Sequence, residues 1–110
     1  LDFTYVEDLI DGMIRALALH GGPTASDTFN LTYGNARSIL DLANTIKEII
    51  PNVTFEYRPK AEDKPTRGTL KMDKAEDRLG FKPKWPLEKG YKKYCEWYVS
   101  EWEKVIRSNA

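Results

Sequence analysis

The sequence predicts an α/β domain in which a small two-stranded parallel sheet is flanked by helices. Apolar and polar residues alternate in two short segments, 27–33 and 53–57, as they do in half-buried strands. A segment with helical spacing separates them, and apolar residues recur at helical spacing near both chain ends. A strand–helix–strand unit over residues 28–57 is long enough for a parallel pair with a right-handed crossover.

The first six residues are also strand-like, and they continue directly into a helix that begins at Glu7. The apolar face predicted for this helix comprises Leu9, Met13, Ala16 and Leu17. Two glycines and a proline follow His20, so the helix is expected to end there. Because a terminal strand needs a neighbour for its backbone groups, we interpret residues 1–110 as the carboxyl-terminal piece of a longer protein.

The central helix is predicted to begin at Ser38, where Ser38 and Asp41 resemble a capping box. Pro51 is expected to end it. The apolar face of this helix comprises Ile39, Leu42, Ala43, Ile46, Ile49 and Ile50. The two strands and this helix cannot bury both faces of a sheet by themselves, so other helices must cover it.

The carboxyl-terminal part of the chain begins with a charged loop, residues 60–70. Asp73 is predicted to cap a short helix that ends at Gly80, and residues 81–86 form an extended linker. The last helix is expected over residues 87–107. Its stripe comprises Leu87, Tyr91, Tyr94, Tyr98 and Trp102, with Cys95 and Trp97 beside it. Aromatic residues at this spacing indicate core packing rather than a base-stacking platform.

Composition excludes several classes of protein. The 17 basic and 17 acidic residues cancel, so no overall field attracts nucleic acid or an anionic membrane. No apolar run approaches the ~20 residues of a membrane span. A single cysteine, Cys95, excludes an internal disulfide framework, and with one histidine it argues against a metal site. These features predict a cytoplasmic location.

The chain by itself shows no catalytic constellation. Its seven glycines form neither a dinucleotide fingerprint nor a phosphate-binding loop. No tyrosine is followed four residues later by a lysine, the arrangement with which many hydride-transfer enzymes abstract a hydroxyl proton. We therefore expect these residues to bind no cofactor and to supply no catalytic group.

The loop between the second strand and the short helix is the candidate binding segment. Its charged residues are Arg58, Lys60, Asp63, Lys64 and Arg67, interleaved with two prolines that stiffen the backbone. Arg67 stands beside Gly68, where its guanidinium could grip a phosphate. The alternative interpretation is an ordinary solvated surface loop.

Five motifs, in order, resemble the carboxyl-terminal substrate domain of extended short-chain dehydrogenase/reductases, the NAD-dependent nucleotide-sugar epimerases and dehydratases typified by UDP-galactose 4-epimerase. Residues 2–9 resemble the segment that enters this domain, and residues 28–34 its Phe-Asn-Ile-Gly-x-Gly strand and turn. Residues 38–43 match the next helix start. Residues 74–83 resemble the Lys-Ala and Leu-Gly-Trp/Phe-x-Pro signature, and residues 87–98 the final helix.

The resemblance implies that residues 1–110 close over a nucleotide sugar, while a Rossmann domain elsewhere in the same protein carries NAD and the catalytic Tyr–Lys pair. NAD would belong to the full-length protein and would not bind this chain alone. The resemblance also implies a homodimer and a role in carbohydrate metabolism such as polysaccharide biosynthesis, as a 4-epimerase or dehydratase.

The resemblance further implies three substrate-binding residues: Lys60, Asp63 and Arg67. In the family an Arg and an Asp of this loop hold the diphosphate and the nucleoside; Asp63 matches the Asp, whereas Lys60 stands at the Arg position. Glu62 and Leu1 also depart from the family pattern, which has Gly and Arg there. Arg67 lies in a run similar to that of surface-polysaccharide epimerases and is expected to replace the missing phosphate ligand.

Two other functions stay open. The chain could be a stand-alone binding or assembly module with the same fold and no catalysis. It could also bind nucleic acid through Lys89, Lys92 and Lys93 of the last helix, although zero net charge opposes this. Acidic residues of the same helix oppose it too: Glu88, Glu96, Glu101 and Glu103.

Overall fold

The computed structural model describes residues 1–19 and 26–109 of the chain. Four helices are present in these ranges: α1 (Val6–Leu19), α2 (Ile39–Ile49), α3 (Asp73–Leu79) and α4 (Leu87–Ser108). They pack in two pairs, α2 against α4 and α1 against α3. Within the described ranges, no helix is both long and apolar enough to cross a membrane.

The predicted two-stranded parallel sheet, and with it the α/β fold class, is wrong for the described residues. Segments 27–33 and 53–57 have no strand, and neither do residues 1–5. Two short strands are not stable in water without a third strand or a covering layer, and α2 packs on α4 rather than over such a pair. The alternation of apolar residues is still meaningful, because Phe29 and Leu31 both pack against the core.

The small hydrophobic core lies between α1, α3 and the segment after α3. Ala75, Leu79 and Phe81 are its buried residues. Ala16, Phe29, Leu31 and Met72 are partly buried against them. Gly80 ends α3 in the left-handed conformation (φ 62°), as predicted. The residue at the N-cap is Met72 rather than Asp73, and its side chain makes no capping hydrogen bond.

Helix α1 buries a different face from the one that its apolar spacing predicts. Its buried residues are Asp8 and Gly12, whereas Leu9, Met13 and Leu17 are exposed. A Cβ atom at Gly12 would lie 2.7 Å from Leu31 Cδ2, so glycine lets α1 approach the segment that carries Leu31. The predicted end at His20 lies outside the described residues.

The capping box of α2 is confirmed. The Asp41 N–H donates to Ser38 Oγ at 3.0 Å, and the Ser38 N–H donates to the Asp41 carboxylate at 2.8 Å. Helix α2 ends at Ile49, just before Pro51, as predicted. Within the predicted apolar face only Ala43 is fully buried, and Ile39 and Ile50 are exposed.

Helix α4 begins at Leu87 as predicted, but most of its aromatic stripe is not buried. Leu87 and Gly90 are buried, whereas Tyr94, Tyr98 and Trp102 are 46%, 51% and 55% exposed. The prediction of core packing is therefore wrong for these three rings in this chain. With 22 residues α4 is about 33 Å long, twice the length of the 11-residue α2 that packs on it.

Candidate functional site

The three predicted substrate-binding residues lie on one exposed loop. Residues 60–70 contain no helix or strand, in agreement with the sequence, and all of them are exposed. Lys60, Asp63 and Arg67 therefore present their side chains to solvent before any ligand arrives. Because no other part of the described chain covers them, a ligand could reach all three.

The loop is closed by two contacts across its own length. The Lys64 N–H donates to the Ala61 carbonyl at 3.2 Å, which makes a tight turn. The Lys60 ammonium donates to Thr66 Oγ1 at 2.8 Å, joining residues six apart. The structure thus brings the Lys60 ammonium to the side chain of Thr66, the residue immediately before Arg67. Asp63 lies within the turn, and it forms no hydrogen bond or ion pair with either cation in the part of the chain described.

The charges of the loop favour an anion. Arg58 is neutralised by Glu56, whose carboxylate lies 2.9 Å from the Arg58 Nε atom. By contrast, Lys60, Lys64 and Arg67 have no carboxylate within ion-pair distance in residues 1–19 and 26–109. A guanidinium offers a fork of donors that matches a phosphate, and an ammonium adds a mobile point charge. Such a loop can bind a phosphate or a diphosphate.

The return side of the loop is fixed to the rest of the chain by contacts that the sequence did not reveal. Thr69 Oγ1 donates to the Asp2 carboxylate. The Asn30 amide donates to the Lys71 carbonyl at 3.1 Å. The partners are 67 and 41 residues apart, so no local spacing signals these contacts.

The segment that carries Asp2 is itself held in place. The Leu1 and Arg37 backbones exchange two hydrogen bonds, of 2.8 and 2.7 Å. The Gly34 N–H donates to the Asp2 carboxylate at 3.1 Å. Gly34 has a φ of 84°, and a Cβ atom there would lie 2.7 Å from Met72 Cε. Only glycine therefore suits this turn.

An apolar groove of about 210 Å³ lies between the segment before α1 and the first turns of α4. Its most prominent feature is a pair of rings, Tyr5 and Trp85, whose centroids are 4.8 Å apart. The ammonium groups of Lys89 and Lys93 lie 4.5 and 4.8 Å from the centroid of the Trp85 ring. These lysines are thus engaged within the chain.

The groove supplies no activated nucleophile or base. Burial raises the pKa of the Tyr91 hydroxyl above its usual value, so this group stays protonated near neutral pH. Burial likewise raises the pKa of the neighbouring Cys95 thiol. A thiol with a raised pKa is a poor nucleophile.

An ionic cluster joins the start of α2 to the start of α4. The Arg37 guanidinium donates to Glu88, and its Nε atom lies 3.6 Å from the Asp41 carboxylate. The hydrogen bond from Arg37 lowers the pKa of Glu88. Hydrogen bonds from the Ser38 backbone and hydroxyl lower the pKa of Asp41. These groups hold the two helices together and lie outside the loop.

No family model matches the chain. Among curated proteins, UDP-glucuronic acid decarboxylase 2 of Arabidopsis thaliana is 37% identical over 90 residues, which cover 80% of this chain and 19% of that protein. The dTDP-glucose 4,6-dehydratase of Salmonella typhimurium is 33% identical over 124 aligned positions, covering 99% of this chain and 32% of that enzyme. The chain thus spans about a fifth to a third of the length of these relatives.

Solved structures also match nearly the whole of this chain. The epimerase Mth375 of Methanothermobacter thermautotrophicus is 27% identical and superposes with a TM-score of 0.80, covering 97% of this chain and 32% of that one. The Bordetella bronchiseptica enzyme WbmF, in complex with NAD+ and UDP, is 30% identical with a TM-score of 0.74 and the same coverage. Both matches comprise only part of the larger proteins.

Proposed function

Because this chain is related to the carboxyl-terminal part of the NAD-dependent nucleotide-sugar epimerases and dehydratases of the extended short-chain dehydrogenase/reductase family, we propose that residues 1–110 are the substrate-binding domain of such an enzyme. In this proposal the chain closes over a nucleotide sugar. A separate Rossmann domain of the same protein binds NAD and performs the hydride and proton transfers. The described residues offer no glycine-rich loop for a pyrophosphate, so NAD is not assigned to this chain.

The observation that carries the proposal is the closed loop. The Lys60 ammonium donates to the side chain of Thr66, the residue before Arg67, and neither cation has an internal carboxylate partner among the described residues. We assign Arg67 to the diphosphate through paired N–H donors, with Lys60 as a second charge. Asp63 is assigned to the nucleoside, where its carboxylate would accept hydrogen bonds.

The substrate class proposed is a pyrimidine nucleoside diphosphate sugar. The names of the relatives specify UDP-glucuronic acid and dTDP-glucose, and WbmF was solved with UDP. UDP and dTDP each combine a pyrimidine base with a diphosphate. Uridine diphosphate is therefore a suitable probe for the loop. Whether the enzyme is a 4-epimerase or a dehydratase depends on groups that the proposal places in the Rossmann domain.

The exposed apolar surfaces support the proposed division into two domains. Helix α1 exposes Leu9, Ile10, Met13, Ile14 and Leu17. Contiguous apolar patches of this kind commonly mark interfaces. We propose that this face packs against the NAD-binding domain. The homodimer and the cytoplasmic location implied by the family resemblance stay predictions.

The two alternative functions have less support. A stand-alone assembly module that binds no anionic ligand would leave the unpaired cations of the loop without a role. For the nucleic-acid alternative, two of the three lysines required are occupied, because Lys89 and Lys93 lie over Trp85 and Lys93 is also 3.5 Å from Glu7. Both observations favour the substrate-binding proposal.

The test is the affinity of the complete gene product for uridine diphosphate, measured by calorimetry. Arg67→Ala should weaken binding by roughly 1.5–3 kcal/mol, the contribution of a hydrogen bond to a charged group, while NAD occupancy is unchanged. Arg58→Ala is the matched control, because Arg58 already pairs with Glu56. An unchanged affinity in the Arg67 variant would reject the assignment of this loop.

A further inference from the structure

We propose that Asp2 and Thr69 are positioning residues for the phosphate-binding loop: their contact holds the backbone that follows Arg67 so that its guanidinium is preorganised for the diphosphate. This inference rests on the proposed function of the loop and extends it to two residues outside the predicted site. Asp2 does not contact the ligand in this proposal. It acts through Thr69, which is separated from Arg67 only by Gly68.

The contact joins three segments of the chain. The Asp2 carboxylate accepts two hydrogen bonds, one from the Thr69 hydroxyl and one of 3.1 Å from the Gly34 N–H. Leu1, the neighbour of Asp2, exchanges two hydrogen bonds with the Arg37 backbone, so Asp2 is joined to the segment that precedes α2. Thr69 is therefore joined through Asp2 to the backbone at Gly34.

Further contacts continue the attachment beyond Thr69. The Asn30 side-chain amide donates to the Lys71 carbonyl at 3.1 Å, and the Thr32 N–H lies 3.2 Å from the Met72 sulfur. Lys71 and Met72 are thus held against the segment that precedes α2, and Thr69 is held against the segment that precedes α1. On its other side, Arg58 pairs with Glu56, a contact within the same irregular segment.

The Asp2–Thr69 contact acts on one end of the loop, the end that carries Arg67. Arg67 lies at the fixed end of the loop, and Lys60 is brought to that end by its bond to Thr66. Both cations consequently depend on the position of residues 66–69. Gly68 gives no restraint of its own, since among the described residues no atom other than those of Gly68 and its two chain neighbours lies within 4 Å of the position its Cβ would take. Without the Asp2–Thr69 contact, the backbone at Gly68 would be free to rotate. The backbone of Arg67, from which the guanidinium extends, would then no longer be held in one position.

The test compares substitutions at Thr69 in the complete gene product. Thr69→Val removes the hydroxyl but keeps the shape of the side chain, and Thr69→Ser restores the hydroxyl. Thr54→Val is the matched control, because Thr54 is exposed in another irregular segment. Two quantities are measured: the dissociation constant for uridine diphosphate, and the rate of tryptic cleavage between Arg67 and Gly68.

We expect Thr69→Val to raise the dissociation constant roughly tenfold and to accelerate cleavage after Arg67. Thr69→Ser and Thr54→Val should resemble the wild type in both measurements. Asp2→Ala should reproduce the effect of Thr69→Val, and the double variant should add little to either. With the natural nucleotide sugar as substrate, Thr69→Val should raise KM and leave kcat unchanged.

Two results would overturn the inference, and they are distinguishable. If Arg67→Ala weakens uridine diphosphate binding but Thr69→Val does not, the loop binds phosphate and the positioning role of Thr69 is rejected, whatever the cleavage rate. If Arg67→Ala also has no effect, the proposed function of the loop is rejected, and the positioning inference is rejected with it.

Discussion

Asp8 of α1 and Trp85 of the segment before α4 are joined by a hydrogen bond of 3.0 Å, which the backbone N–H of Trp85 donates to the Asp8 carboxylate. The second carboxylate oxygen of Asp8 accepts the Lys84 N–H at 2.8 Å. Asp8 is only 3% exposed. One buried side chain thus satisfies two backbone donors of a proline-stiffened segment, and it fixes the entry of α4 against α1.

This relationship predicts that Asp8→Ala destabilises the fold. Two partly buried backbone N–H groups would lose their acceptor, at a cost of about 2–4 kcal/mol in the free energy of unfolding. Denaturant unfolding measures this quantity. Asp11→Ala is the control, because Asp11 lies in a half-exposed ion pair with Arg15, and its loss should cost less than about 1 kcal/mol. Equal effects of the two substitutions would contradict the prediction.

Gly12→Ala should also destabilise the fold, although alanine favours helices. The new Cβ would lie 2.7 Å from Leu31 Cδ2, and Leu31 is itself packed against the core. Overpacking should outweigh the gain in helix propensity and cost about 1–2 kcal/mol in net stability. Adding Leu31→Ala should make Gly12→Ala neutral or favourable, as a double-mutant cycle of unfolding free energies would reveal. Simple additivity of the two changes would show that they do not clash.

The carboxylates with lowered pKa predict a loss of stability in acid. Hydrogen bonds from Arg37 to Glu88 and from Lys74 to Asp27 lower the pKa of each carboxyl in the folded protein. A folded state that binds fewer protons than the unfolded state is favoured above the unfolded pKa values, near 4, and loses this advantage as pH falls through the folded pKa values.

The corresponding measurement is the difference in unfolding free energy between the wild type and Glu88→Gln as a function of pH. The difference should be constant from pH 7 to about 5 and should shrink towards about pH 3. Lys89→Gln serves as a control on the same helix, since Lys89 forms no ion pair with a carboxylate in residues 1–19 and 26–109. The difference in unfolding free energy between the wild type and this variant should vary less with pH. If the difference in unfolding free energy between the wild type and Glu88→Gln grew as the pH fell, the prediction would be contradicted.

The exposed face of α1 leads to a prediction about domain packing. Met13 is 53% exposed in this chain, and the proposed enzyme covers it with the NAD-binding domain. In the complete gene product, Met13→Glu should therefore destabilise by more than about 2 kcal/mol, because a charge would be buried without a partner. Met13→Leu conserves the volume and should cost less than about 1.5 kcal/mol. A glutamate variant as stable as the wild type would place this face in solvent.

Local features were predictable from the sequence. Ser38 and Asp41 are three residues apart, so their capping box depends on one turn of backbone. Gly80 ends α3 for the same local reason, since only glycine adopts the left-handed cap without strain. The boundaries of α4 and the irregular loop at residues 60–70 follow from spacing and composition.

The loop site was predictable in part. The resemblance to a family placed Lys60, Asp63 and Arg67 in the binding loop, and their role stays a prediction. The closure of the loop by Thr66 and its attachment through Asp2 were not visible in the sequence. The attachment joins residues 67 positions apart, and neither residue type has a spacing rule at that distance.

The amino-acid sequence by itself determined the capping box of α2, the glycine that ends α3, the start of α4, the charged irregular loop at residues 60–70, and the family that the motifs resemble. Only the tertiary structure decided that the alternating segments form no sheet, which face of α1 is buried, and that the rings of α4 stay exposed. The physical reason is the range of the interactions. A cap or a turn is complete within a few residues, whereas strand pairing and burial require a partner surface whose position depends on the whole chain.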